Sequence, residues 1–134
     1  MKYLLDTDTC VAVLRGDESA IARVREEAPN DLAVASITHY ELLYGVECCE
    51  GRRRARERRK VEELIGVLHE LPFTRDTARL AATVRRELEK DGQPIGPMDL
   101  LIAATAREAN LRVITGNLTE FNRDPGLTCE TWRS

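Results

Sequence analysis

Short apolar runs alternate with longer amphipathic segments along the chain. KYLLD, DLAVASI and LRVIT are typical of buried strands, HELPF indicates a short edge strand limited by Pro72, and GLTCETW indicates a last short strand. Between them apolar residues recur at helical spacing, as Leu42, Leu43 and Val46 do. The predicted helices cover residues 9–16, 18–28, 38–49, 52–69, 74–90 and 97–110.

The order of these elements predicts the fold class. Strands that alternate with helices form a parallel sheet covered on both faces, so we expect an α/β fold with a parallel central sheet. No internal repeat, low-complexity tract or Gly/Ser/Pro-rich linker divides the chain, which suits a single domain of residues 1–134. In such sheets, functional sites gather beyond the carboxyl ends of the strands.

Composition narrows the function classes. With 43% hydrophobic and 32% charged residues, the chain can bury a core and is not a disordered tail. The net charge of −3 does not by itself indicate a nucleic-acid binder. The four cysteines include no C-x-x-C pair, which favours reduced thiols over a zinc site. No signal peptide or membrane-spanning run is present, so we expect no membrane association and a cytoplasmic protein.

Four acids fall at predicted strand ends or helix starts. Each also has a local explanation: Asp6 as a helix cap, Glu41 in a capping box with Thr38, Asp99 as a first-turn acid, and Glu120 as a solvated loop acid. Carboxylates brought together at one edge of the sheet repel one another, and a hard divalent cation relieves that repulsion. The pattern therefore favours an Mg²⁺ or Mn²⁺ site that could act on a phosphodiester.

Four segments of the chain resemble one family. They are LLDTD with Asp6, SITHYELLYG with Glu41, GPMDLLIAATA with Asp99, and VITGNLTEFNRDPGL with Thr115, Asn117 and Glu120. In this order and spacing they are similar to the PIN-domain ribonucleases, specifically the VapC-type toxins of toxin–antitoxin pairs. The resemblance covers nearly the whole chain, from the first strand to the C-terminal tryptophan.

The resemblance implies a three-layer α/β/α fold and metal-dependent endonuclease activity on RNA. It implies that Asp6, Glu41, Asp99 and Glu120 form the catalytic site, with Asp6 and Asp99 as the direct ligands of Mg²⁺ or Mn²⁺. Glu41 and Glu120 would coordinate through water or orient the attacking water. Thr7, Thr115 and Asn117 would hold carboxylates or the scissile phosphate. Such enzymes are usually homodimers inhibited by a small antitoxin protein.

The chain departs from the family pattern at two positions beside the site. Asp8 stands where the family often has Asn or Ser, which adds a negative charge. Gly116 stands where a polar or basic residue is frequent, which removes a potential RNA contact. These departures leave the four acids in place and bear on the choice of substrate.

A basic run, residues 52–60, carries seven basic residues and one acid. Arg53, Arg54 and Arg58 are candidates for contact with RNA phosphates. The alternative is a solvated helix face, in which Glu57 and its neighbours form weak ion pairs.

Two other functions compete with the ribonuclease. YLLDTDTC is similar to the haloacid-dehalogenase phosphatase signature, in which Asp6 would be a nucleophile that forms an aspartyl-phosphate and Asp99 would bind Mg²⁺. Cys10, however, stands where that family prefers Thr or Val, and no lysine motif follows. The second alternative is a non-catalytic PIN-like binding partner, which the presence of all four acids does not support.

Overall fold

Five short strands form one parallel sheet. The computed structural model describes residues 1–133. The strands are β1 (Tyr3–Leu5), β2 (Leu32–Ala35), β3 (His69–Leu71), β4 (Arg112–Ile114) and β5 (Cys129–Glu130). Their order across the sheet is β3-β2-β1-β4-β5, and every pair is parallel. All five predicted strands are therefore confirmed, with β3 at one edge.

Helices connect the strands. They are α1 (Thr7–Leu14), α2 (Glu18–Glu26), α3 (Ser36–Glu47), α4 (Gly51–Gly66), α5 (Arg75–Lys90), α6 (Pro97–Ala109) and α7 (Leu118–Phe121). A 3₁₀ turn, Pro29–Asp31, precedes β2. No helix among residues 1–133 is long and apolar enough to cross a membrane.

The two faces of the sheet carry separate apolar clusters. Leu5 belongs to a cluster with residues of α1, α3 and α4, whereas Leu4 belongs to a cluster with residues of α6 and α7. Successive strand residues point to opposite faces, so β1 is buried on both sides. Helix α5 covers α6 from outside, where Val84 and Leu88 pack against Leu100. This arrangement is the predicted α/β/α layering around a parallel sheet.

The structure corrects several sequence-based helix ends and adds one short helix. Helix α1 begins at Thr7 rather than at residue 9, and α2 and α3 end at Glu26 and Glu47, two residues earlier than predicted. Helix α3 begins at Ser36 rather than at Thr38, and α4 ends at Gly66 rather than near residue 69. Helix α7 was not predicted, because four residues are too few to show a helical period. Each difference lies at an element end or in a very short element, where local pattern carries the least information.

Candidate active site

Asp6 lies directly beyond the carboxyl end of β1 and is 2% exposed. Its Oδ1 accepts a hydrogen bond of 2.8 Å from the Thr9 amide, so Asp6 caps α1. The Thr115 side chain, which follows β4, also hydrogen-bonds to Asp6. Burial raises the pKa of Asp6 despite these bonds. Capping and a place at the site are therefore not alternatives for this residue.

Asp99 lies in the first turn of α6 and is partly buried. Its pKa rises from 3.8 to about 7, first through burial and then through the negative charges of Glu120, Asp6, Asp8 and Glu41. All four predicted acids thus interact electrostatically at one edge of the sheet. Asp8, which the sequence singled out only as a departure from the family pattern, adds a fifth negative charge.

Glu41 is held by Thr7, which also contacts Thr38, rather than by a capping box. The Thr7 hydroxyl donates to Glu41 Oε1 over 2.5 Å and lies 3.1 Å from the Thr38 hydroxyl. Thr38 is fully buried inside the first turn of α3, whose N-cap, Ala35, has no side-chain hydrogen bond. The capping-box interpretation is wrong, because α3 begins before Thr38. Instead, Thr7 of α1 binds the Glu41 carboxylate and contacts Thr38 of α3.

Glu120 has both carboxylate oxygens engaged. Its Oε2 accepts a hydrogen bond of 2.7 Å from Asn117 Nδ2, and its Oε1 accepts one from the Gly96 amide. The backbone amide of Asn117 in turn donates a hydrogen bond of 2.8 Å to the Thr115 hydroxyl, which fixes Asn117 in place. Glu120 therefore ties α7 to the start of α6, the turn that carries Asp99.

The three predicted hydroxyl and amide residues each contact a different carboxylate. Thr7 bonds to Glu41, Thr115 bonds to Asp6, and Asn117 bonds to Glu120. Two further contacts escaped the sequence analysis. Thr38 was considered only as a capping-box partner of Glu41, and nothing in the sequence indicated its contact with Thr7 or the hydrogen bond from the Gly96 amide to Glu120.

The basic run forms the first half of α4, and its three candidate residues differ. The Arg54 guanidinium donates to the backbone oxygens of Cys49 and Glu47, over 2.8 and 3.3 Å, near the end of α3. Arg58 pairs with the Glu47 carboxylate at 2.6 Å. Arg53 is exposed and lines a groove instead. Two of the three guanidiniums thus hold α4 against α3.

The groove leads away from the site between α1, α3 and α4. Its volume is about 400 Å³, and Thr7 and Glu41 line it next to the other acids. Arg15, Arg53 and Lys60 also line it, together with Glu57, which pairs with Lys60 at 3.5 Å. The rest of the lining is largely apolar and includes Val11, Leu14, Leu42, Val46 and Val61.

The site has carboxylate donors but no ready-made metal cage. Among residues 1–133, no group of three or more His, Cys, Asp or Glu side chains is arranged to hold a metal ion by itself. Mg²⁺ commonly takes one or two carboxylates and fills its other positions with water and phosphate oxygens. Asp6 and Asp99 both have raised pKa values, so a nearby cation would favour their charged forms. This donor chemistry fits a hard divalent cation.

Comparison with known proteins places the chain in a family. The sequence model of the PIN domain matches residues 3–123, almost from the first strand to the end of the site. The chain belongs to the PIN domain family. Within that family it is 34% identical over 132 residues to a protein of Salmonella typhimurium named tRNA(fMet)-specific endonuclease VapC, with 98% of each chain covered. It is also 34% identical over 134 residues to Ribonuclease VapC2 of Rickettsia felis, again with 98% of each covered.

Solved structures of VapC-type PIN domains have the same fold. One is a crystal structure of DNA-bound VapBC from Salmonella typhimurium, with a TM-score of 0.91, 34% identity and 98% of each chain covered. Another is VapBC2 from Rickettsia felis bound to a promoter DNA fragment, with a TM-score of 0.89, 32% identity, and 98% and 99% coverage. The VapC-type resemblance seen in the sequence is therefore confirmed.

Proposed function

We propose that this PIN domain is a divalent-metal-dependent endoribonuclease that hydrolyses RNA phosphodiester bonds as the toxin of a toxin–antitoxin pair. One observation carries the chemistry: Asp6, Glu41, Asp99 and Glu120 converge. Burial and the negative charges of Glu120, Asp6, Asp8 and Glu41 raise the pKa of Asp99 to about 7. Such mutual repulsion is typical of a site that binds a cation. The similarity to proteins named ribonucleases and endonucleases supports RNA as the substrate.

Asp6 and Asp99 are the proposed metal ligands, because their carboxyl groups approach from the sheet and from α6 and both have raised pKa values. A divalent cation, Mg²⁺ or Mn²⁺, would neutralise the carboxylates and the phosphodiester and make the attacking water more acidic. The Thr9 amide and the Thr115 side chain orient Asp6 for this role. Glu120 holds the first turn of α6, which carries Asp99, in position.

Glu41 is the proposed proton acceptor for the attacking water. Its Oε1 is occupied by the Thr7 hydroxyl, whereas Oε2 has no hydrogen-bond partner among residues 1–133. The Thr7 bond fixes the direction of the carboxylate and leaves one oxygen to accept a proton. The groove that begins at Thr7 and Glu41 has basic side chains that could receive the RNA backbone.

A small antitoxin is the proposed protein partner, because similar chains occur in VapBC toxin–antitoxin complexes. A homodimer remains a prediction from the family resemblance. The phosphatase alternative gains no support from the site. Its nucleophile would be Asp6, a carboxylate that is 2% exposed and already accepts bonds from Thr9 and Thr115.

The test is cleavage of end-labelled RNA by antitoxin-free protein. One relative is named a tRNA(fMet)-specific endonuclease, so initiator tRNA and total tRNA are the first substrates to use. With Mg²⁺ or Mn²⁺ the parent should give discrete fragments, and a chelator should abolish them. Asp99→Asn should reduce the rate by more than the roughly 10–100-fold lost on removing an outer partner of a metal ligand.

Asp76→Asn is the matched control, because Asp76 is also a first-turn acid but lies exposed on α5. It should cleave at the parental rate. Parental cleavage by Asp99→Asn would refute the site assignment. Absence of any metal-dependent cleavage of these RNAs by the parent would count against the ribonuclease itself.

A further inference from the structure

The side chain of Arg133 lies across Gly116 at the edge of the site. A methyl group built on Gly116 would come within 2.6 Å of Arg133 Cδ and 2.7 Å of its Nη1. The backbone gives no reason for a glycine, since the glycines with positive φ are Gly16, Gly51 and Gly92. The missing side chain at position 116 therefore makes room for Arg133.

The C-terminal segment is anchored by two sets of contacts just before Arg133. The Thr115 amide donates to the Glu130 carbonyl over 2.9 Å, which pairs the end of β4 with β5. Trp132 is 3% exposed and packs edge-on against Tyr3, with ring centroids 4.9 Å apart, while the Arg23 guanidinium lies 4.7 Å from its ring centroid. Arg133 is the next residue, so the buried tryptophan determines where its side chain starts.

Arg133 provides a positive charge that no carboxylate of residues 1–133 pairs with. Its side chain is exposed and has no carboxylate partner among residues 1–133, unlike Arg107 and Arg112, which pair with Asp124 and Glu130. The charges that act on Asp99 are all carboxylates. A polyanion that approaches such a site needs a positive group at its rim.

We propose that Arg133, seated on Gly116, is a substrate-binding residue that contacts an RNA phosphate beside the scissile position. Gly116 lies between Thr115, which bonds to Asp6, and Asn117, which bonds to Glu120. A guanidinium can bind two phosphate oxygens at once, so it suits this task. The positive charge absent at position 116 is supplied from position 133. This inference rests on the proposed ribonuclease function.

The first experiment removes the positive charge at position 133 and then restores one at position 116. Cleavage of end-labelled tRNA is measured over a salt series for the parent, Arg133→Gln, and the double variant Gly116→Lys with Arg133→Gln. Arg133→Gln should raise KM at unchanged kcat and reduce the slope of log kcat/KM against log salt by about 0.7–0.9. The double variant should recover the parental slope, because it restores a positive charge at the same rim.

Arg79→Gln is the matched control, because Arg79 is an exposed arginine on α5 with a side chain 73% accessible to solvent. It should leave both KM and the salt slope at parental values. A parental KM and slope for Arg133→Gln would overturn the proposal. A loss confined to kcat would also overturn it, since the residue would then act on the acids rather than on the RNA.

A binding measurement separates this proposal from the ribonuclease assignment. Anisotropy of labelled tRNA is recorded with the Asp99→Asn protein and with the same protein carrying Arg133→Gln. Weaker, less salt-dependent binding of the second protein supports the Arg133 contact, and equal binding refutes it. Failure of the parent to cleave RNA would refute the proposed function through a separate measurement.

Discussion

Replacement of Asp99 by Asn should stabilise the metal-free protein above neutral pH. The Asp99 carboxyl has a pKa of about 7 in the folded chain against an ordinary value of 3.8, because it is partly buried and faces the carboxylates of Glu120, Asp6, Asp8 and Glu41. At higher pH the folded protein must hold this group charged in an unfavourable place. Asparagine has nearly the same shape and no charge, so it removes the repulsion.

The sign of the pH dependence follows from proton linkage. Between 3.8 and about 7 the folded state keeps a proton on Asp99 that the unfolded state has lost, so stability falls as the pH rises through this window. If the whole pKa difference acted on folding, it would lower the free energy of unfolding by roughly 4 kcal/mol. Solvent screening of a partly exposed group reduces this to about 1–2 kcal/mol. Asp99→Asn also loses the favourable interaction of a first-turn charge with the helix dipole, about 0.3–1 kcal/mol, so its net gain in the free energy of unfolding is near 1 kcal/mol.

The assay is urea and thermal unfolding in the presence of a chelator, with Asp76→Asn as the control. At about pH 8 Asp99→Asn should unfold roughly 3–5 °C above the parent, and the difference should vanish towards the lower end of the titration window. Asp76 is a first-turn acid of α5 that pairs with Arg79 at 3.5 Å, so its replacement should destabilise slightly. Mg²⁺ should stabilise the parent more than Asp99→Asn, because the variant lacks a proposed ligand.

Two results would refute this reasoning. If Asp99→Asn is less stable than the parent at about pH 8 in the chelator, the carboxylates do not repel one another as inferred. If its stability relative to the parent is the same across the window, the pKa of Asp99 is not raised. In either case Asp99 would be an ordinary first-turn acid.

Two further predictions concern the threonines and the basic helix. Thr38→Val removes the hydroxyl that contacts Thr7, so Thr7 and Glu41 are held less firmly and kcat should fall roughly tenfold at unchanged KM. Thr38→Ser keeps the hydroxyl and should have the parental kcat. Thr77→Val, at the equivalent buried position of α5, should leave the kinetics unchanged; equal kinetic losses in both variants would contradict the positioning role. Arg53→Gln should reduce the salt slope of kcat/KM by about 0.7–0.9, whereas Arg58→Gln should not; the reverse order would exclude the groove as the RNA path.

The sequence alone determined the layout of this protein. The strands, the long helices and their parallel arrangement follow from apolar runs and helical spacing, because burial of each element imposes its own local period. Asp6, Glu41 and Asp99 could be found for the same reason, since each stands at a recognisable strand end or helix start, whereas Glu120 only follows the last main strand at a distance. A short element such as Leu118–Phe121 could not, because four residues do not complete a detectable pattern.

Tertiary structure decided which partners each of these residues contacts. Thr38 and Glu41 looked like a capping box until Thr7, from another helix, proved to be their partner. Within one basic run, Arg54 hydrogen-bonds to the backbone near the end of α3, whereas its neighbour Arg53 lines the groove. These distinctions depend on side chains brought together from distant parts of the chain.

The raised pKa of Asp99 and the position of the Arg133 side chain against Gly116 both depend on tertiary structure. The pKa depends on the burial of Asp99 and on charges from other elements. The position of the Arg133 side chain depends on where β5 and Trp132 place the C-terminal segment. Local sequence fixes backbone geometry within a few residues, whereas electrostatics and steric room depend on through-space distance. Only the folded chain sets those distances.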